Sequence, residues 1–208
     1  MEEESRKEYW EQVYQTKSPE QVSWTQPVPQ TSLDFINELN LRKDARIIDI
    51  GGGDSKLVDY LLQDGFTDVT VLDISESALE KAKVRLGDQS AKVKWIVSDI
   101  TEFQPTSHYD LWHDRATFHF LTTPQQIAAY LNIAKNVVND FMVIGTFSES
   151  GPEKCSGLHI KQYTETQLQE QLNPAFKKIR CINEDHTTPL QTKQNFLFCS
   201  FKRQPHLT

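Results

Sequence analysis

Apolar residues recur along this chain with two alternating periods, and the alternation predicts its elements. Tyr9, Trp10, Val13 and Tyr14 fall on one face of a short amphipathic helix over about the first 16 residues, a face expected to pack on the body of the fold. Lys17 to Gln30 follows with Pro19, Pro27 and Pro29, which deny it a long helix and leave Trp24 on a loop. Thr31 or Ser32 can cap a helix carrying Leu33, Ile36, Leu39 and Leu41, ahead of the apolar run Arg46 to Ile50, which reads as a buried strand. Asp54 or Ser55 caps the next helix, with Leu57, Val58, Leu61 and Leu62. Gly65 ends it, and Val69 to Leu72 is the second strand. Ser75 or Ser77 opens a helix with Ala78, Leu79, Ala82 and Leu86 on one stripe and Gly87 as its stop. Strands at Val93 to Val97 and Tyr109 to Trp112, a helix from Pro124 to Val137 and a strand from Phe141 to Gly145 continue the rhythm.

Strands alternating with helices predict an α/β fold, a three-layer sandwich with helices on both faces of a mostly parallel sheet. After Thr146 the rhythm changes. A polar loop from Ser148 to Gly157 and a helix from Thr164 to Leu172 precede two β-rich segments, Phe176 to Ile182 and Gln194 to Lys202, with no helix between them. Consecutive strands without a crossover helix pair antiparallel, so one end of the sheet is expected to be antiparallel. A length of 208 residues suits one domain. Within it, residues 1–30 read as an N-terminal helix and flap over the ligand cleft, and residues 31–208 as the core.

Composition narrows the function classes. Lys+Arg 22 against Asp+Glu 29 gives a formal charge of -7, which disfavours nucleic acid as a partner. No apolar run is long enough to span a membrane, and the charged start Met1 to Lys7 lacks a secretory h-region, so a cytoplasmic protein is expected. Cys155, Cys181 and Cys199 are odd in number and widely spaced, which reads as three free thiols, with Cys155 exposed on its loop. No His, Cys and carboxylate set has metal-ligand spacing, so no metal is expected. No feature bears on oligomeric state.

The chemistry gathers where the first strand ends. Asp49-Ile50-Gly51-Gly52-Gly53 leads straight towards a helix, a setting in which glycines let backbone approach a ligand and the helix start offers free N–H groups. One strand-helix-strand unit later, the second strand ends in Asp73, where a carboxylate can accept both hydroxyls of a ribose. The third strand is followed by Asp99. All three acids belong at the carboxyl edge of the sheet, where open α/β sheets bind ligands. Lys56 stands where a dinucleotide fingerprint needs its third glycine, and the loop is no P-loop, since Asp54 repels phosphate. A ribose-bearing ligand with a positive centre and no phosphate fits best.

In this order and spacing, Asp49-x-Gly51-x-Gly53, Asp73, Ser98-Asp99-Ile100 and Tyr109-Asp110-Leu111 resemble the class I S-adenosylmethionine-dependent methyltransferases over residues 45–147. The resemblance implies a Rossmann-like seven-stranded sheet of order 3-2-1-4-5-7-6 with strand seven antiparallel, and S-adenosylmethionine as cofactor. Gly51 and Gly53 would cradle its methionine part, with Asp49 near the amino group. Asp73 would hold the ribose, Asp99 would accept from the adenine amino group, and Ile74 and Ile100 would flank adenine. The family's motif has one more glycine, where this chain has Ser55.

The segment His113-Asp114-Arg115-Ala116-Thr117-Phe118-His119 looks both like protein lysine methyltransferases and like small-molecule methyltransferases, so the acceptor stays open between those two. A cofactor-binding, non-catalytic interaction protein on the same fold is the alternative. Asp114, His113 and His119 are the candidates to orient a nucleophile or take its proton, Asp114 also touching cofactor. For both histidines the competing reading is structural. Arg115 reads as the partner of an internal carboxylate ahead of a substrate contact, and Trp24 as a cover over the cofactor or a ring stacked on substrate.

Overall fold

A computed structural model describes residues 3–205, with side chains from Arg6 onward, so the side chains of residues 1–5 in the Met1 to Lys7 start lie outside the described residues. Helix α1 (Glu3–Thr16) and the segment behind it lead to α2 (Gln30–Glu38), whose N-cap is Pro29 and not the expected Thr31 or Ser32. Proline already lacks the donor that a helix start leaves idle, so it can begin a helix while Ser32 is spent elsewhere. Strand β1 (Arg46–Ile50), α3 (Leu57–Gln63), β2 (Asp68–Asp73), α4 (Glu76–Leu86), β3 (Val93–Val97), β4 (Tyr109–Arg115), α5 (Pro124–Val137) and β5 (Val138–Phe147) then alternate. A two-residue-per-strand hairpin, β6 (Lys154–Cys155) and β7 (Leu158–His159), precedes α6 (Glu165–Leu172), β8 (Phe176–Thr187) and β9 (Lys193–Arg203).

The large sheet has the order β3-β2-β1-β4-β5-β9-β8. With the small hairpin set aside, this is the expected 3-2-1-4-5-7-6, and only β9 runs against its neighbours β5 and β8. Local chemistry fixes several helix ends. Ser75, Thr123 and Thr164 each accept a backbone N–H three residues on, and Gly87 ends α4 with φ +56°. One half of the core lies under α5 and α6, around Trp112, Tyr130 and Phe176. The other lies under α2 and α3, around Phe35, Ile47 and Phe198.

Two expectations are corrected. Cys181 and Cys199 are not free thiols: they are direct partners across β8 and β9, Cα atoms 4.1 Å apart, and form a disulfide. Strand pairing over a long hairpin brings them together, which their separation in the chain does not reveal. Cys155 is free but buried at 6% exposure, because the hairpin folds it in beneath Ser23. Among the described residues no helix is long and apolar enough to cross a membrane, and no cluster of His, Cys, Asp and Glu could hold a metal ion.

Candidate functional site

Strand β1 is anchored by Ile47, Ile48 and Ile50, all fully buried, so the turn that leaves it starts from a fixed point. Gly51 and Gly53 take φ +63° and +50°, the left-handed region that side chains resist. Gly52 N–H donates to Leu72 O at 3.1 Å, and a Cβ at Gly52 would stand 2.6 Å from both Asp49 Oδ2 and Val71 Cγ1. The turn is thus pressed onto β1 and β2, and α3 begins only at Leu57, whose N–H donates to Ser55 Oγ at 3.2 Å.

Asp73 closes β2 at 5% exposure. Its carboxylate accepts from Ser75 N–H at 2.8 Å and from the Gly53 backbone. Burial pushes this acid up to about 7, and Asp54 and Asp49 add to the rise. Asp99, after β3, is bound on both oxygens: Arg6 pairs with Oδ2 at 2.8 Å, and Thr101 donates to Oδ1 through N–H and hydroxyl. An adenine amino group at this position would share or displace Arg6.

Along β4 the side chains alternate between the two faces of the sheet. His113 joins Asp49 Oδ1, 2.7 Å from Nδ1, to Ser32 Oγ, 2.9 Å from Nε2. A carboxylate oxygen accepts, so Nδ1 is the donor to Asp49, and Nε2 and the Ser32 hydroxyl share the second bond. The chain Ser32, His113, Asp49 therefore ties α2 through β4 to the root of the glycine turn. Asp114 points the other way, into the core. It accepts from Tyr130 hydroxyl at 2.8 Å and from Thr117 and Phe118 N–H, and burial pushes it up to about 6.

His119 stacks on Phe147 with ring centroids 4.4 Å apart, and among the described residues neither ring nitrogen has a partner. Burial, and then Arg115, pull it down to about 3, so it is neutral at any ordinary pH. Arg115, on the His113 face, donates from Nη1 to Trp24 O at 2.9 Å and lies 5.1 Å from the Phe196 ring centre. Burial draws it down to about 10, which leaves it cationic at neutral pH. No carboxylate among the described residues pairs with it, contrary to the expectation of an internal ion pair.

A cavity of about 250 Å³ opens at the carboxyl ends of β1 to β4. Asp49, Gly51, Asp73, Ile74, Asp99, Ile100, His113 and Trp24, all singled out in the sequence, line it. Gly53 stands just behind, against Tyr14 and Asp73. Asp114 and His119 are not among the lining residues, because one faces α5 and the other is sealed beside Phe147. Residues 1–30 are expected over the cleft, but Trp10 and Tyr14 read only as a packing face, and sequence reasoning singles out neither Arg6 nor Glu11: Arg6, Trp10 and Tyr14 line the cavity, and Glu11 accepts from Ser75 hydroxyl at 2.8 Å. The aromatic run in the first helix was the available signal. Arg115 and Cys155 also line the cavity.

Residues 47–140 match the methyltransferase domain family. The chain is 40% identical over 115 residues to a malonyl-[acyl-carrier protein] O-methyltransferase of Anoxybacillus flavithermus, covering 54% of this chain and 42% of that one. It is 24% identical to an eEF1A lysine and N-terminal methyltransferase of Mus musculus, covering 57% of this chain and 17% of that one. It therefore spans less than half the length of the curated relatives it matches. The 1,6-didemethyltoxoflavin-N1-methyltransferase of Burkholderia thailandensis, solved with S-adenosylhomocysteine, shares the fold at TM-score 0.67 and 18% identity, covering 97% of this chain and 85% of that one. By this match residues 47–140 are similar to the methyltransferase domain family, on the same Rossmann-like fold as the Burkholderia thailandensis enzyme.

Proposed function

We propose that the chain transfers a methyl group from S-adenosylmethionine to a nucleophile by in-line displacement. The observation that carries this reading is the convergence of the glycine turn, Asp73 and Asp99 on one cavity at the carboxyl edge of the sheet. Asp73 suits the ribose: a buried carboxylate with its acidity already weakened gains most from two hydroxyl donors. The turn at Gly51 to Gly53 takes the methionine part, Asp99 the adenine amino group, and Ile74 and Ile100 the adenine faces. When bound, the cofactor supplies an activated sulfonium methyl.

What remains for the protein is to place the acceptor and shut out water. Residues 1–30 supply the cover: Trp10, Tyr14 and Trp24 line the cavity opposite the sheet. Acid–base help is a small part of this reading. His113 is engaged on both nitrogens, Asp114 is turned into the core, and His119 does not line the cavity and is neutral. His113 is then a positioning residue that steadies Asp49, and Asp114 fixes the β4 end through Thr117 and Phe118. The acceptor is a small molecule or a protein lysine; the relatives' names give malonyl-[acyl-carrier protein] in one case and a lysine and N-terminus of eEF1A in the other.

Isothermal titration with S-adenosylmethionine, S-adenosylhomocysteine and NAD tests the cofactor. The first two are expected to bind and NAD is not, and binding of NAD alone overturns the reading. His119→Phe is expected to retain methyl transfer within about threefold and to melt no lower than the native protein, since a ring of like shape replaces two unpartnered buried nitrogens. A loss of about a hundredfold in kcat would return His119 to the chemistry.

A further inference from the structure

We infer that the methyl acceptor is a small organic acid whose carboxylate docks on Arg115. This rests on the methyltransferase reading and narrows it. The guanidinium uses Nη1 on Trp24 O, while Nε and Nη2 are closed off from solvent and have no partner among the described residues. Those two atoms form one edge of the guanidinium, with two parallel N–H bonds at the spacing of two carboxylate oxygens. A buried cation left with an open edge is costly, and proteins pair such groups as a rule. Here the nearby acids are held off. Asp49 is taken by His113, and Glu184, on β8, acts on Arg115 only at longer range. His119 and His186 also face it, and both are held towards neutrality by burial first and by Arg115 after it. Cys155, whose thiol burial keeps protonated, offers no anion either.

Position separates this edge from the cofactor. Across the sheet, Asp99 follows β3, Asp73 ends β2, the glycine turn follows β1, and Arg115 ends β4, the next strand along. Neighbouring strands stand about 4.8 Å apart, so a ligand laid from Asp99 to the glycine turn leaves the β4 side for a second molecule. Trp24 and Cys155 enclose that side. Both edge atoms are closed off from solvent, so an entering acid reaches them by displacing the cover over Arg115, the segment that carries Trp24.

The test uses protein saturated with S-adenosylhomocysteine and melted in sodium formate, acetate or malonate, against sodium chloride of equal ionic strength and against formamide and acetamide. The carboxylates are expected to raise the melting temperature by about 3 °C at ten times their Kd, and the chloride and amides are not. Arg115→Gln should lose this shift and Arg115→Lys, which keeps charge without the two-donor edge, should keep less than half. An unshifted native protein, an equal shift in Arg115→Gln, or a larger shift with inorganic phosphate overturns the inference. The cofactor's own carboxylate is the other source. If Arg115 holds it, Arg115→Gln weakens S-adenosylhomocysteine tenfold or more, while decarboxylated S-adenosylmethionine binds both forms alike. That result also overturns the assignment. Failure of the native protein to bind S-adenosylhomocysteine strikes the cofactor reading instead, so the two failures are distinct.

Discussion

Asp73→Asn is expected to weaken S-adenosylmethionine binding at least a hundredfold and yet to melt no lower than the native protein at pH 8. The loss follows from two ribose hydroxyls that bond to a charged, buried acceptor, each worth about 1.5–3 kcal/mol. The retained stability follows from linkage. An acid raised from 3.8 to about 7 in the folded protein holds its proton more tightly there than in the unfolded chain. Its favourable contribution is complete below about pH 4, declines as pH rises between the two values, and is gone above about pH 7. Asp114, raised to about 6 chiefly by its burial, acts in the same sense. The empty native protein should therefore melt lower at pH 8 than at pH 5, and Asp73→Asn should make that fall shallower. Cofactor binding needs the carboxylate and should weaken about tenfold per pH unit below about pH 7. Calorimetric melting at several pH values and titration of both forms check each part. A variant that binds cofactor normally would remove Asp73 from the site.

Gly51→Ala is expected to cost cofactor affinity and methyl transfer about a hundredfold each. Its added Cβ would lie 1.7 Å from Thr117 Oγ1, at a backbone φ of +63°. Left-handed backbone costs a side-chain-bearing residue about 1–2 kcal/mol. The contact adds to it, since Thr117 Oγ1 also donates to Ile50 O at 3.2 Å and cannot swing away freely. A displacement of about 1 Å in a positioning turn is enough for a hundredfold loss in rate. The double variant Gly51→Ala with Thr117→Gly removes the contact and keeps the strained φ, so it should recover about tenfold. Full recovery would mean that the contact alone matters, and no recovery that the backbone does.

What was readable in the sequence was local. Asp49, Asp73 and Asp99 each end or follow a strand, and glycines, serine caps and prolines mark where strands stop and helices start, so the acids' shared edge follows from alternation alone. Partners that cross the fold were not readable. Ser32 looks like a helix cap, yet it meets His113 because α2 packs over β4. Strand β4 runs on to Arg115, three residues beyond its expected end, and this extension turns Asp114 towards Tyr130 and Arg115 towards Trp24. Cys181 and Cys199 meet through strand register, and α1 reaches Asp99 through Arg6 by tertiary packing. Each of these depends on which elements become neighbours, a choice made by the whole core and by no short window of residues.

Helix α1 grips the site at two separated places, with Arg6 on Asp99 and Glu11 on Ser75, the residue that caps α4 beside Asp73. A ligand seated against both acids is expected to meet this 14-residue element at each of them as it enters and leaves. Residence time, more than equilibrium affinity, is then what the first helix sets. Loosening the Glu11 grip, which touches neither acid, should speed entry and departure together and leave their ratio nearly unchanged.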